Sequence, residues 1–369
     1  MTGIALVGYG AMGRAHAMAY RDIGFHYGLP ADAIRIVGVA TTRRETAHQA
    51  AIEIGCALAV TDYRSLIQRD DVHIVDVCTP HDSHAEIVIA AAQAGKHVYC
   101  EKPLARTLAE AERMAEAIRA AKVKLGLTFN FRFFPCVLRA KQLIDEGFIG
   151  RIFSFHGRYF RASYIDPARP MAWRLRKAQA GGGIVIDSGA HLIDLTTFLV
   201  GDVAEVRAVT DTPHKRRPKA KGSSEMEDVD VEDMAFVQLR TPDGALGTWE
   251  MSRVATGATN DIWFEVRGDK GALRFALEEP NWLYTYDTHS PHKGFTRVET
   301  VGRYDGQLAP DWTAPVGVPR AHAECQYRFL KAIWDGREPS PGLDDGLRVQ
   351  RLIEAVYRSA ASADWARPV

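Results

Sequence analysis

Two stretches carry residue types at spacings suited to proton transfer. In Gly181-Gly182-Gly183-Ile184-Val185-Ile186-Asp187-Ser188-Gly189-Ala190-His191-Leu192-Ile193-Asp194, the residues Asp187, His191 and Asp194 fall at i, i+4 and i+7. A helix over 187–199 sets all three on one face. A helix that buries Leu192, Ile193 and Leu195 has no packing need for such a stripe. One reading is a core histidine satisfied by a neighbouring acid. The other is a general base whose orientation and pKa a carboxylate sets. The second stretch is His97-Val98-Tyr99-Cys100-Glu101-Lys102-Pro103. Proline restricts the backbone of the residue before it, so the Lys102 side chain can be aimed; in isolation, Glu101-Lys102 suits a surface ion pair equally well.

A third pattern, Gly8-Tyr9-Gly10-Ala11-Met12-Gly13, directly follows the apolar run Ile4-Ala5-Leu6-Val7 and opens a helix marked by Met12, Ala15 and Ala19. In that context Gly8 allows a tight turn, Gly10 lets the backbone approach a pyrophosphate, and Gly13 lets helix and strand pack closely. The helix start at Ala11 and Met12 offers N–H groups and a partial positive charge to phosphates. A dinucleotide site follows, with a glycine-rich turn of some other α/β protein as the plainer alternative. After the second apolar run comes Val39-Ala40-Thr41-Thr42-Arg43-Arg44, with no acid before Glu45. An NAD site normally places a carboxylate there. Thr41 with Arg43 and Arg44 suits a 2′-phosphate instead and favours NADP over NAD; the contrary reading has both arginines merely facing solvent. Cys78-Thr79-Pro80-His81-Asp82-Ser83-His84 ends another strand, where Thr79 and Pro80 would line the nicotinamide or ribose. The spacing of His81 and His84 suits no standard metal site, and no metal is expected. His84 reads as a hydrogen-bonding residue near a helix start.

The elements that must position these residues are legible in the hydropathy pattern. Apolar runs at 4–7, 34–40, 73–78, 98–100 and 125–129 alternate with Ala-rich helical stretches at 43–54, 83–94 and 108–121. Near-continuous apolar strands separated by helices predict a parallel, doubly wound sheet. Beyond Phe129 a helix over 135–147 precedes alternating segments at 152–159, 204–209, 234–240, 245–251, 262–267, 272–276 and 282–286. The turn signals Pro242-Asp243-Gly244 and Gly268-Asp269-Lys270-Gly271 separate several of them. A largely antiparallel meander of six or seven strands is predicted, with helices at 187–199, 320–334 and 342–361 on one face. Two domains follow: 1–128, α/β with a parallel sheet, and 129–369, α+β with a large open sheet. Lys215, Arg216, Arg217, Lys219 and Lys221, followed by Glu225, Glu227, Asp228, Asp230, Glu232 and Asp233, read as a solvated loop between strands.

The 369 residues hold 46 Lys plus Arg against 46 Asp plus Glu. This balance removes the long-range field of a dedicated nucleic-acid binder or a polybasic membrane protein. No apolar run approaches the roughly 18 residues of a spanning helix. Five scattered cysteines without a CxxC pair predict a reducing, cytoplasmic setting.

Taken together, these residues resemble the Gfo/Idh/MocA family of oxidoreductases. The resemblance rests on Gly8–Gly13, Thr79-Pro80 with His84, Ala94-Gly95-Lys96-His97, Glu101-Lys102-Pro103, Asn130-Phe131-Arg132, the 181–194 stretch and the 355–359 helix segment, and so spans nearly the whole chain. It implies an N-terminal Rossmann domain and a C-terminal domain whose open sheet serves dimer or tetramer contacts. It also implies that Lys102, His191 and Asp187 are catalytic and that the Lys102–Pro103 bond is cis. Glu101 and Lys102 would adjoin the cofactor. Asn130, Arg132, Tyr159, Trp173 and Arg174 would line the substrate pocket with Asp187 and His191, in a cleft between the halves. Thr41 departs from the aspartate of many NAD-using relatives. The implied reaction is hydride transfer between nicotinamide and a secondary alcohol of a sugar, anhydrosugar or cyclitol. His191 would take the hydroxyl proton and Lys102 would stabilise the oxygen. The rivals are a redox-assisted glycosidase or lyase with retained NAD and a non-catalytic sugar sensor. A sensor has no use for intact Lys102, Asp187 and His191. The expected partner is a small polyol, with neither nucleic acid nor membrane, and the expected assembly is a homodimer or homotetramer.

Overall fold

Six apolar runs form one parallel sheet: β1 (Thr2–Val7), β2 (Ile34–Ala40), β3 (Leu58–Val60), β4 (Ile74–Val77), β5 (His97–Cys100) and β6 (Leu125–Leu127), in spatial order β3-β2-β1-β4-β5-β6. Ile4, Leu6, Val39, Ile74 and Val98 are fully buried, as strands covered on both faces must be. The intervening helices are α1 (Ala11–Tyr27), α2 (Arg44–Ile54), α3 (Arg64–Ile67), α4 (His84–Gln93) and α5 (Leu108–Ala121). α1 ends where Gly28 adopts a left-handed φ of 62°. α5 begins at Thr107, whose hydroxyl accepts the Glu110 N–H at 3.2 Å, a Thr-x-x-Glu start. From β1 the sheet extends one way through β2 and β3, then the other way through β4 to β6. Gly8 and Thr79 therefore emerge side by side at the carboxyl ends of β1 and β4, the switch point where such sheets bind ligands.

The chain continues through α6 (Pro135–Asp145), β7 (Ile152–Phe160), α7 (Lys177–Ala180), α8 (Ile184–Asp187), α9 (Gly189–Leu199), β8 (Glu205–Asp211), β9 (Arg216–Pro218), β10 (Met226–Asp228), β11 (Met234–Arg240), β12 (Leu246–Ser252), β13 (Asp261–Gly268), β14 (Gly271–Ala276), β15 (Trp282–Asp287) and β16 (Thr296–Glu299). It closes with α10 (Val318–Trp334) and α11 (Leu343–Ser362). The second sheet has eight strands in the order β16-β15-β14-β13-β7-β12-β11-β8, antiparallel except where β7 runs parallel to β12. α9 lies on its buried face, where the fully buried Trp249 of β12 donates its indole N–H to Thr196 Oγ1 at 2.8 Å. On the opposite face Val209 and its cross-strand partner Phe236 are exposed, as is Leu246.

This computed structural model describes residues 1–302 and 317–369. They form two compact units, Met1–Asn130 with Val318–Arg348, and Phe131–Gly317 with Val349–Val369. The division differs from the sequence reading, which ran the second domain from 129 to the end. Residues 318–348 join the first unit because α10 packs along α1, Phe329 lies against Gly126 of β6, and the Leu127 N–H donates to Pro341 O at 3.1 Å. Two further expectations change. The single helix over 187–199 is divided at Ser188 into α8 and α9. The charged run is not simply a solvated loop but contains the hairpin β9–β10. Its Arg217 is fully buried and donates to Tyr164 O at 2.6 Å and Asp166 O at 2.7 Å. Glu232 and Asp233 are buried as well, Asp233 lying 2.6 Å from Arg253. Two backbone carbonyls meet Arg217, the Arg253 guanidinium meets Asp233, and backbone N–H groups meet Glu232; such partners are what permit their burial. Among the described residues no helix is long and apolar enough to cross a membrane.

Candidate active site

In the first unit the three loop glycines have three separate causes. Gly8 has φ 93°, and a Cβ there would sit 2.7 Å from Cys78 O; a Cβ on Gly13 would sit 2.2 Å from Gly8 O. At Gly10 an added Cβ would meet no protein atom within 4 Å. The outer two are required by the protein's own packing. The middle one leaves an open cradle over the start of α1, whose first turn has no side-chain cap. That geometry fits a pyrophosphate lying on Ala11, Met12 and Gly13. At the end of β2, the Thr41 hydroxyl donates to Arg43 O at 2.9 Å and lies 2.6 Å from Thr46 Oγ1. Arg43 and Arg44 are exposed and form no ion pair among the described residues.

The ends of β4 and β5 are tied together by a buried histidine. His84 places Nε2 3.0 Å from Thr79 O and Nδ1 3.0 Å from Pro103 O, so it acts on the backbone that carries Thr79 and the exposed Pro80. Burial lowers its pKa, with the two carbonyls opposing. The Lys102–Pro103 bond is cis, and Lys102 is half-buried. The Glu101 N–H donates to Val77 O at 2.9 Å, and its Oε2 accepts the Lys102 N–H at 3.2 Å. Beneath lies His16 of α1, fully buried, with Nδ1 2.9 Å from Asp76 Oδ1 and Nε2 3.0 Å from Glu101 Oε1. Burial alone would lower the His16 pKa; the Asp76 carboxylate outweighs it and holds the imidazole well above its ordinary value. Burial likewise acts to raise Glu101, but the hydrogen bond and charge of His16 hold it at about 2. His322 of α10, its ring 5.4 Å from His16, is lowered to about 4 by burial and by the charge of His16. Asn130 follows β6 and is buried in the same unit.

In the second unit Asp187 closes α8 and His191 lies in the first turn of α9. The His191 ring stacks on Phe131 at 4.2 Å, with Tyr159 of β7 at 6.5 Å. The Tyr159 hydroxyl donates to Asn260 Oδ1 at 2.7 Å, and burial pushes it up to about 12. Arg174 Nε lies 3.6 Å from Asp187 Oδ2, and its guanidinium covers the Trp173 ring at 4.2 Å. The α8–α9 segment thus gathers Tyr159, Trp173, Arg174, Asp187 and His191. Arg132 is placed otherwise: its guanidinium forks onto Asp194, Nε to Oδ2 at 2.8 Å, both side chains being buried. That pairing accounts for the third member of the Asp187–His191–Asp194 stripe as a structural ion pair.

The start of α8 is fixed by a residue the sequence reading missed. The Glu232 carboxylate accepts the N–H groups of Gly183 and Val185 at 2.9 Å each and the Tyr357 hydroxyl at 3.0 Å, while its carbonyl accepts the Ile184 N–H. A Cβ on Gly183 would lie 1.9 Å from Glu232 O, so glycine is what lets α8 begin there. His16, Asp76 and His322 were missed too. Asp76 did leave a signal, because a charged residue within an otherwise apolar strand covered on both faces demands a buried partner.

Residues 2–129 match the family model described as "Oxidoreductase family, NAD-binding Rossmann fold", and residues 137–274 match the GFO/IDH/MocA C-terminal domain. Levoglucosan dehydrogenase of Pseudarthrobacter phenanthrenivorans is 36% identical over 98% of this chain and 97% of its own length. Inositol 2-dehydrogenase of Rhizobium meliloti is 29% identical over 96% of each. A solved levoglucosan dehydrogenase in complex with NADH superposes with a TM-score of 0.95 over 100% of this chain and 99% of that one.

Proposed function

The chain belongs to the Gfo/Idh/MocA family of oxidoreductases, and from that premise we propose that it is a nicotinamide-dependent dehydrogenase oxidising a secondary alcohol of a neutral sugar, anhydrosugar or cyclitol. An anhydrosugar of the levoglucosan type has the strongest support. The observation that carries the reading is the end-to-end likeness to levoglucosan dehydrogenase in a chain that has Lys102 at the end of β5 and Asp187 and His191 across α8–α9.

The Gly8–Gly13 loop and the start of α1 would hold the pyrophosphate of a bound dinucleotide, Thr79 and Pro80 would line its nicotinamide or ribose, and Glu101 would adjoin the cofactor. When bound, the nicotinamide supplies the hydride acceptor. The His191 imidazole takes the proton of the substrate hydroxyl, and the Lys102 ammonium donates to that oxygen as it becomes a carbonyl. Phe131 limits rotation of the His191 ring, Asp187 orients the proton-transfer group, and Tyr159, Trp173, Arg174 and Asn130 contact the polyol. Arg43 and Arg44, exposed beside Thr41, support acceptance of NADP alongside NAD. The apolar outer face at Val209, Phe236 and Leu246 supports a homo-oligomer, and five cysteines that form no disulfide among the described residues support a cytoplasmic setting.

The test is a spectrophotometric screen of NAD and NADP reduction against levoglucosan, myo-inositol and common aldoses. His191→Ala should lower kcat by about 10²–10⁴ while NADH still binds. Turnover of the variant at the wild-type rate, or no absorbance change across the panel, would refute the reading.

A further inference from the structure

The first unit holds a buried cluster of which the proposed chemistry uses only Glu101. His16 is surrounded by Tyr20 from α1, Asp76 and Cys78 at the end of β4, Tyr99 and Glu101 at the end of β5, and His322 and Gln326 from α10. A neutral imidazole carries one N–H and can donate to one acid. Both His16 nitrogens face carboxylates at 2.9–3.0 Å, and all three side chains are buried. An imidazolium satisfies both acids at once and offsets their charge, which no other group in the cluster does; His322 is kept neutral by burial and by the neighbouring positive charge.

We propose that His16 is a positioning residue for Lys102, acting through Glu101; the proposal rests on the role given to Lys102 above. With Oε1 fixed on His16, the other Glu101 oxygen is held toward the Lys102 N–H. The Glu101 N–H on Val77 O and His84 on Pro103 O anchor the backbone on either side. Four points thereby fix the peptide from which Lys102 projects. Misplacement of a reacting group by about 1 Å can cost on the order of 10²-fold in rate, so the aim of this side chain depends on a charge buried behind it.

The test uses the full-length protein and two variants that divide the histidine. Asn can reproduce the Nδ1 donor toward Asp76, and Gln the Nε2 donor toward Glu101. His16→Asn should lower kcat by about 10–100-fold, with KM for NAD changed far less, whereas His16→Gln should lose clearly less. In a Lys102→Met background His16→Asn should have little further effect, because its route to the reaction is already gone. Independently of turnover, 15N spectra of histidine-labelled protein should show both His16 nitrogens protonated at pH 8. A neutral His16 tautomer, equal losses in the Asn and Gln variants, or fully additive losses with Lys102→Met would overturn the proposal. Wild-type turnover by Lys102→Met alone would instead refute the role of Lys102 and leave the spectra as the judge of the His16 charge.

Discussion

Glu101 and Glu232 are both buried carboxylates, one bonded to the Lys102 N–H and the other to the start of the short helix that ends in Asp187, but they are held in opposite ways. Glu101 faces a cation. Glu232 faces two amides and a phenol and, among the described residues, no cation, and burial raises its pKa against the pull of those donors. A counter-charge keeps one acid ionised far into the acidic range. Dipoles alone leave the other acid poised to take up a proton. The lesson is that depth of burial does not set the state of a carboxylate; the formal charge of its neighbour does.

The comparison can be broken most directly at Glu232. Glu232→Ala would leave the Gly183 and Val185 N–H groups and the Tyr357 hydroxyl without their acceptor. At about 1–3 kcal/mol per buried orphan, the loss should be roughly 3 kcal/mol or more in urea unfolding, with a fall in kcat as the start of α8 loosens. A loss below about 1 kcal/mol would mean that the carboxylate is not what fixes α8.

A sharper version uses pH. The folded pKa of Glu101 is depressed to about 2, so its contribution to stability is present above its ordinary value of 4.5 and is lost as pH falls toward 2. The folded pKa of Glu232 is raised, so the fold prefers its protonated form, and its contribution worsens as pH climbs above 4.5. The penalty of Glu101→Gln should therefore grow from pH 3 to pH 7, while that of Glu232→Gln should shrink over the same range. Parallel slopes would remove the distinction. The smallest effect belongs to Tyr357→Phe, which deletes one of the three donors to Glu232. It should cost about 1 kcal/mol, with hydrogen exchange accelerating at Gly183–Val185 and staying unchanged at Glu101 and Lys102.

Much of this molecule was legible in its residues. Strand β2 and helix α5 fall where the apolar pattern put them, because each is a local run with clear punctuation. Lys102 and His191 stood out because proline or a helical stripe marked them within a few positions. The groups behind them did not. His16 meets Glu101 across 85 positions, Gly183 meets Glu232 across 49, and Tyr357 reaches Glu232 across 125. Such pairings exist only once the sheets have assembled. Arg217 shows the complementary failure. A charged run is judged by its average, yet one guanidinium within it found two carbonyls and went inside.

The return of residues 318–348 to the first unit makes the second unit, in architectural terms, an insertion (131–317) followed by a short tail (349–369) rather than a single tail. A fragment cut after residue 128 would lack α10 and with it Phe329, Cys325 and His322. The Leu127 carbonyl would lose the Cys325 thiol, Gly126 would lose its covering ring, and water would reach the His16 cluster from the side α10 now seals. A self-sufficient nucleotide-binding half therefore requires three cuts and a splice, joining residue 130 to residue 318 and ending at residue 348, and a natural relative that dispensed with the insert would have to keep that second segment.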